Sequence, residues 1–334
     1  GYVLAEFPVL SETFVGTEMR AMQLRGHRIV PITFKRSERL AQPVDAPLES
    51  VTQYLTSVSA GACLLTAILA WYRLPGIIPF LMRQKGLPRL SLWWQALHLA
   101  VVVRREGVEH LHAHFALAAT SLAIVAARIC NVPVSFVGHG FDIYATPADL
   151  RLKLASADFA IAVCEQTRID LQQVAPRSRL HTMHCGVDLN RFRSLASSPS
   201  ASSRFLFVGR LCEKKGVDTL LQALSRVNSF QPAMLDVVGD RPLLATLQNQ
   251  AKSLGIASKV NFLGSQTSEW IIENANDYCA LVTPFRIASN GDRDTGPLVL
   301  KEAMALGLPV ITSALMGCDE IVAHDSGWKV PPTT

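Results

Sequence analysis

Short apolar runs, each ending at a glycine, proline or small polar residue, alternate along this chain with stretches of helical spacing. The opening Tyr2-Val3-Leu4-Ala5 reads as a strand entered midway. Residues 12–24 then place apolar side chains three and four apart, Gly26 stops that pattern, and residues 28–34 return to a β-rich apolar run. The same grammar predicts a strand over 108–112, a small-residue helix over 116–130, a strand over 132–137 and another around 159–163. Apolar strands separated by helices imply a parallel sheet covered on both faces.

The pattern is interrupted at residues 194–204, Ser-Leu-Ala-Ser-Ser-Pro-Ser-Ala-Ser-Ser-Arg, which read as a linker. It restarts with apolar runs at 205–209, 235–239, 260–264, 280–282 and 309–312. A chain of 334 residues exceeds what one core usually organises. Two doubly wound α/β domains are therefore expected, over residues 1–195 and 196–334. The second ends at Gly327-Trp328-Lys329-Val330-Pro331-Pro332 with no closing helix, so a C-terminal helix is expected to be missing.

With 49% hydrophobic and 18% charged residues, global disorder is excluded. The seven cysteines are scattered and contain no C-x-x-C pair, which suits reduced thiols in the cytoplasm. No signal peptide is read at the N-terminus. The net charge of +5 sits in the first half, where residues 1–195 hold 20 Lys/Arg against 14 Asp/Glu, while residues 196–334 hold 12 against 13. Residues 50–105 contain six basic residues and no acidic one, together with the apolar run 62–72 and Trp93-Trp94. That run is short of the ~20 residues a spanning helix needs. It is expected to form an insertion that packs on its own domain and also lies on an anionic bilayer.

Three constellations carry chemistry. In Asp294-Thr295-Gly296-Pro297-Leu298-Val299-Leu300-Lys301-Glu302-Ala303-Met304-Ala305-Leu306-Gly307, Pro297 suits the first helical position and Gly307 the helix end. A helix start opening on a cleft offers free N–H groups and partial positive charge to a diphosphate. Glu302 lies one to two turns into that helix. Gly209-Arg210-Leu211-Cys212-Glu213-Lys214-Lys215-Gly216 joins a strand to a helix and supplies cations for a leaving anion. Gly138-His139-Gly140-Phe141-Asp142 puts a histidine in a glycine turn, where Asp142 is suited to orient its ring. The run His110-Leu111-His112-Ala113-His114 aligns three histidines on one strand face, a metal-like spacing for which no carboxylate or cysteine partner is evident.

The first segment resembles the E-x7-E motif of retaining GT-B glycosyltransferases of family 4, with Asp294 in place of the first glutamate and Thr295 in place of the usual glycine. Residues 209–216 resemble that family's G-R-x-x-x-x-K-G motif, and residues 6–14 with 110–115 resemble its colanic-acid and exopolysaccharide branch. The resemblance implies two Rossmann-like domains facing across a cleft. It assigns the donor diphosphate to Arg210 and Lys215, and the main chain near the nucleotide to Gly209 and Gly264. Thr295, Gly296, Pro297 and Leu298 form the helix start, Glu302 takes the ribose, and His139 and Asp294 take the donor sugar.

The implied reaction moves a sugar from a UDP- or GDP-sugar to a lipid-linked or polysaccharide acceptor. It needs no cofactor and no metal ion, involves no nucleic acid, and is expected at the inner face of the plasma membrane. Three alternatives stay open: a D-x-D metal site at Asp292-Arg293-Asp294, a nucleotide-sugar epimerase of the same fold, and a catalytically weakened sugar-nucleotide binder.

Overall fold

A computed structural model describes residues 1–37, 41–193, 202–227, 232–323 and 325–332. The chain divides into two compact units, Gly1–His184 and Cys185–Thr334. The expected boundary at 195–196, like most of the Ser-rich segment, lies outside the described residues.

The first unit is built on β1 (Tyr2–Phe7), β2 (Pro31–Arg36), β3 (Gln53–Tyr54), β4 (Leu111–His114), β5 (Val134–Gly138), β6 (Phe159–Ala162) and β7 (Leu180–Thr182). They form one sheet in the order β3-β2-β1-β4-β5-β6-β7, parallel throughout. The strand expected over 28–34 begins instead at Pro31, opposite Tyr2 of β1. Arg28 lies before it, its guanidinium 2.8 Å from Glu106. The strand expected at 108 likewise starts later: Val108 N still donates to Val103 O at the end of the preceding helix.

The helix Ala118–Cys130 is apolar or small at every position but Thr120 and Arg128 and is accordingly buried, from Ala119 to Ala127 without a break. Asn131 ends it in the left-handed conformation, φ 60°. The helix Arg89–Arg105 lies against it and buries Leu92, Ala96, Leu97, Leu99, Ala100, Val102 and Val103. Residues 60–83 form two further helices, Ala60–Leu69 and Leu74–Arg83, whose Cys63, Ala70, Ile77 and Phe80 enter the same core. Fully burying a side chain the size of Phe80 contributes about 1.5–3 kcal/mol.

The second unit repeats the plan with β8 (Arg204–Val208), β9 (Met234–Val238), β10 (Val260–Gly264), β11 (Ala280–Thr283), β12 (Val310–Ser313) and β13 (Trp328–Val330), ordered β10-β9-β8-β11-β12-β13 and again all parallel. Five of these strands fall within two residues of the expected runs; β13 was not anticipated. One apolar cluster around Phe207, Leu221 and Val237 fills one side, and another around Phe285, Leu300 and Val310 a second.

Candidate active site

Each sheet reverses its strand order beside its first strand, and in such sheets ligands bind outside the carboxyl ends of the strands at that reversal. In the second unit the reversal lies between β8 and β11. The loop leaving β8 ends at Gly216, where φ is +66° and an added Cβ would stand 2.0 Å from the carbonyl oxygen of Pro284, directly after β11. Only glycine fits. This contact seats the loop on the end of β11 and delivers Lys214 and Lys215 to the segment that follows.

Lys215 Nζ donates to Asp294 Oδ1 at 3.2 Å and stands 4.6 Å from the centroid of the Phe285 ring. Lys214 Nζ donates to Asp292 Oδ1 at 3.0 Å. Both lysines and both aspartates are largely buried. The two loops are further fastened by Arg286 N to Lys214 O at 2.9 Å and by Ser289 N and Oγ to the Glu213 carboxylate at 2.9 and 2.8 Å. Burial pushes the Asp294 carboxyl up, but Lys215, Lys214 and Arg210 outweigh it and hold the group below the ordinary carboxylate range. Asp292 and Asp294, the pair that resembles D-x-D, thus carry two ammonium groups where a dication would otherwise stand.

The helix Leu298–Ala305 follows, with Pro297 at its N-cap, one residue before the first helical position expected for it. Thr295 and Gly296 are packed on Gly317, where an added Cβ would stand 1.9 Å from Thr295 O. Glu302 is buried on this helix, and burial pushes its carboxyl up to about 7, against an opposing pull from Arg191. Arg191 itself donates to Glu269 at 2.6 Å. Gly209 continues β8, and exposed Arg210 lies close enough to act on Asp294. Gly264 ends β10, at the edge of the sheet, and its carbonyl accepts from Gly239 N at 2.8 Å.

In the first unit the reversal lies between β1 and β4, and the chemistry there is different. His110 Nε2 and His112 Nδ1 both lie 2.7 Å from Ser135 Oγ on β5. His114 Nδ1 lies 3.3 Å from His139 Nε2. The His139 ring is held between Phe14, 4.6 Å away, and Phe115, 4.4 Å away, centroid to centroid. Asp142 accepts the main-chain N–H of His139 at 3.0 Å and of Ala116 at 2.6 Å, so its carboxylate fixes the turn that presents the histidine. Phe115 adopts φ +67°, a conformation rare for a bulky residue and often found at functional strand ends.

The carboxylate that the three-histidine strand lacks in the sequence is Glu18, on the helix Thr13–Leu24. His112 Nε2 and His114 Nε2 stand 3.4 and 3.6 Å from its two oxygens, and Tyr2 donates to it at 2.9 Å. Burial, joined by neighbouring imidazoles, holds His112 and His114 well below the ordinary histidine value, so both are neutral near pH 7.

The fold therefore brings Gly209, Arg210, Lys215 and Asp294 to one strand end with Thr295, Gly296, Pro297 and Leu298 directly after. It sets Glu302 beside Arg191, and it holds His139 in the other unit among aromatic rings and histidines. Sequence reading gave Asp292 only the role of a metal ligand, where the structure pairs it with Lys214, and it gave Lys214, Glu18 and Phe14 no role. The adjacent Lys214-Lys215 facing Asp292-x-Asp294 was the available signal for Lys214; nothing local marks the other two.

Residues 11–191 match the family described as Glycosyltransferase Family 4, and residues 192–334 that described as Glycosyl transferases group 1. The chain belongs to glycosyltransferase family 4. Among its relatives is an Escherichia coli protein named for colanic acid biosynthesis, WcaL, which is 24% identical over 99% of this chain and 86% of its own length. Among solved structures, sucrose-phosphate synthase of Thermosynechococcus elongatus superposes with a TM-score of 0.71 at 17% identity, over 99% of this chain and 86% of that one. Anabaena HepE in complex with UDP-glucose superposes with a TM-score of 0.70 at 17% identity, over 99% and 85%. At such identities these structures establish the fold, and it is the GT-B type of this family, as the motifs imply. Family 4 membership makes the chain a glycosyltransferase, and the epimerase reading falls away with that assignment.

Proposed function

We propose that this glycosyltransferase moves a sugar, with retention of configuration, from a UDP- or GDP-sugar to a lipid-linked or growing polysaccharide acceptor during synthesis of a bacterial surface polysaccharide. The observation that carries this reading is the buried Lys215–Asp294 pair beside Arg210, at the strand reversal and immediately before a helix start. Without donor, Asp294 neutralises Lys215. A diphosphate takes over that role, and the freed carboxylate turns to the sugar hydroxyls. Arg210, Lys215 and the N–H groups after Pro297 then stabilise charge as it builds on the leaving diphosphate. The acceptor hydroxyl enters on the face from which the diphosphate departs and passes its proton to a phosphate oxygen. Glu302 receives the ribose, and His139 is assigned to the donor sugar by its place in the family's motif. The UDP-glucose in HepE supports a nucleotide-sugar donor, and the colanic acid name of WcaL supports the polysaccharide.

The membrane part of the reading rests on helices Ala60–Leu69 and Leu74–Arg83. Their inner residues enter the core, while Leu64, Leu65, Ile68, Leu69, Trp71, Tyr72, Ile78 and Met82 stand 48–69% exposed. These positions recur three and four apart, so they form an apolar stripe turned outward, flanked by Arg73, Arg83, Lys85 and Arg89. Among the described residues no single helix is long and apolar enough to cross a membrane, although Ala60–Leu69 and Trp71–Arg83, bent by 59°, pass that test together by length and composition. An apolar stripe edged with arginine fits the headgroup region of an anionic bilayer, at about 1 kcal/mol per basic residue. The acceptor's lipid anchor would lie in the same surface.

The experiment is a panel of UDP- and GDP-sugars incubated with the protein and membrane lipid extract, read as nucleotide release and as radiolabel in the lipid fraction. One sugar labelling lipid only when an acceptor is present supports the reading. Nucleotide release with no labelled acceptor, or binding with no turnover, contradicts it.

A further inference from the structure

Glu18, His112 and His114 form a cluster that the transfer reaction leaves unused. The two imidazoles are buried, and among the described residues neither Nε2 has a hydrogen-bond partner. An unsatisfied buried polar atom is costly, so two of them directed at one carboxylate call for a ligand. The three ligand atoms all lie within 4.8 Å of one another. The nitrogen-to-oxygen separations are 3.4 and 3.6 Å, and two ligands bound at 2.0–2.2 Å in a tetrahedral shell stand about 3.4 Å apart.

The surroundings are those of a built site. The other nitrogen of each ring is engaged, His112 Nδ1 with Ser135 Oγ at 2.7 Å and His114 Nδ1 with His139 Nε2 at 3.3 Å. Tyr2 binds Glu18 Oε1 at 2.9 Å. Such outer contacts fix tautomer and ring orientation in metal sites and leave the inner nitrogen's lone pair free. We infer that Glu18, His112 and His114 bind one divalent transition ion of the zinc class. Two imidazoles and one carboxylate are donors that select such an ion over magnesium or calcium. The Glu18 side chain is 31% exposed, so the fourth position opens to solvent and is free to take water or an anionic oxygen.

The test is a Co²⁺ titration of the full chain after chelator treatment and dialysis. The inference predicts visible d–d bands that saturate at one equivalent, without a thiolate charge-transfer band, and that Zn²⁺ abolishes. Glu18→Gln, close to isosteric, should remove the bands while circular dichroism stays unchanged. Ser135→Ala, which loosens only an outer contact, should weaken binding by about 10–100-fold. A folded wild-type protein that binds no Co²⁺ at one equivalent overturns the inference. So does a thiolate band, which would assign the ion to cysteine, or undiminished binding by folded Glu18→Gln.

Discussion

The two units share a strand order and a parallel sheet, and they differ in what stands at the reversal point. In the second unit that place is filled by buried charge: Lys214 with Asp292, Lys215 with Asp294. In the first it is filled by imidazoles and aromatic rings, the neutral His112 and His114 followed by His139 between Phe14 and Phe115. The fold fixes where a ligand goes, and the residues at the strand ends fix which ligand. Paired lysines at a helix start suit a polyanion, since a diphosphate replaces one counter-ion by another without stranding a charge. Aromatic faces and imidazoles suit a sugar or an ion.

The largest effect should come from stranding one of those charges. Lys215→Ala leaves Asp294 buried without its main partner, which should cost about 3–5 kcal/mol in urea unfolding and stop nucleotide release. Adding Asp294→Asn should restore most of that stability while donor binding stays lost. Recovery of both together would mean that the lysine acts only as a structural ion pair.

Glu302 should contribute a pH dependence that the imidazole-rich unit does not mimic. Its folded-state value near 7 lies above the ordinary 4.5, so the carboxyl favours the fold at low pH and that advantage is lost as pH rises through 7. The difference amounts to about 3 kcal/mol at 1.36 kcal/mol per unit. Relative to Glu302→Gln, the parent should therefore lose stability between pH 5 and pH 8. Parallel urea midpoints across that range would remove the assignment.

Gly216→Ala tests the seating of the lysine loop. Left-handed strain of about 1–3 kcal/mol, added to a main-chain clash with Pro284, should lower stability and donor affinity together. The smallest stability effect belongs to the outward stripe: Ile68→Ser with Leu69→Ser should leave unfolding within about 0.5 kcal/mol of the parent. The same pair should reduce co-sedimentation with anionic vesicles, and unchanged sedimentation would oppose the membrane reading.

Much of this was readable from residues alone. Central parallel strands are covered on both faces, so β5, β8, β9 and β11 announce themselves as mainly apolar runs. The edge strands β3, β7 and β13 span two or three residues and have no such run, and β13 is exposed at all three positions. The motif residues Arg210, Lys215 and Asp294 were identifiable singly. Their pairing was not, because Lys215 and Asp294 stand 79 positions apart and meet only through the β8–β11 reversal. Glu18 was hidden for the same reason, being carried to the histidine strand by a helix that follows β1.

The central claim is that the lysine pair of the second unit grips a diphosphate. Calorimetric titration of UDP and of GDP into the parent and into Lys215→Ala/Asp294→Asn, at low and high salt, tests it most directly. The account predicts that one nucleotide binds the parent, less tightly as salt rises, and at least ~100-fold more weakly to the folded double variant, as loss of buried charge contacts worth about 2–5 kcal/mol requires. Equal affinity in the two proteins would contradict it.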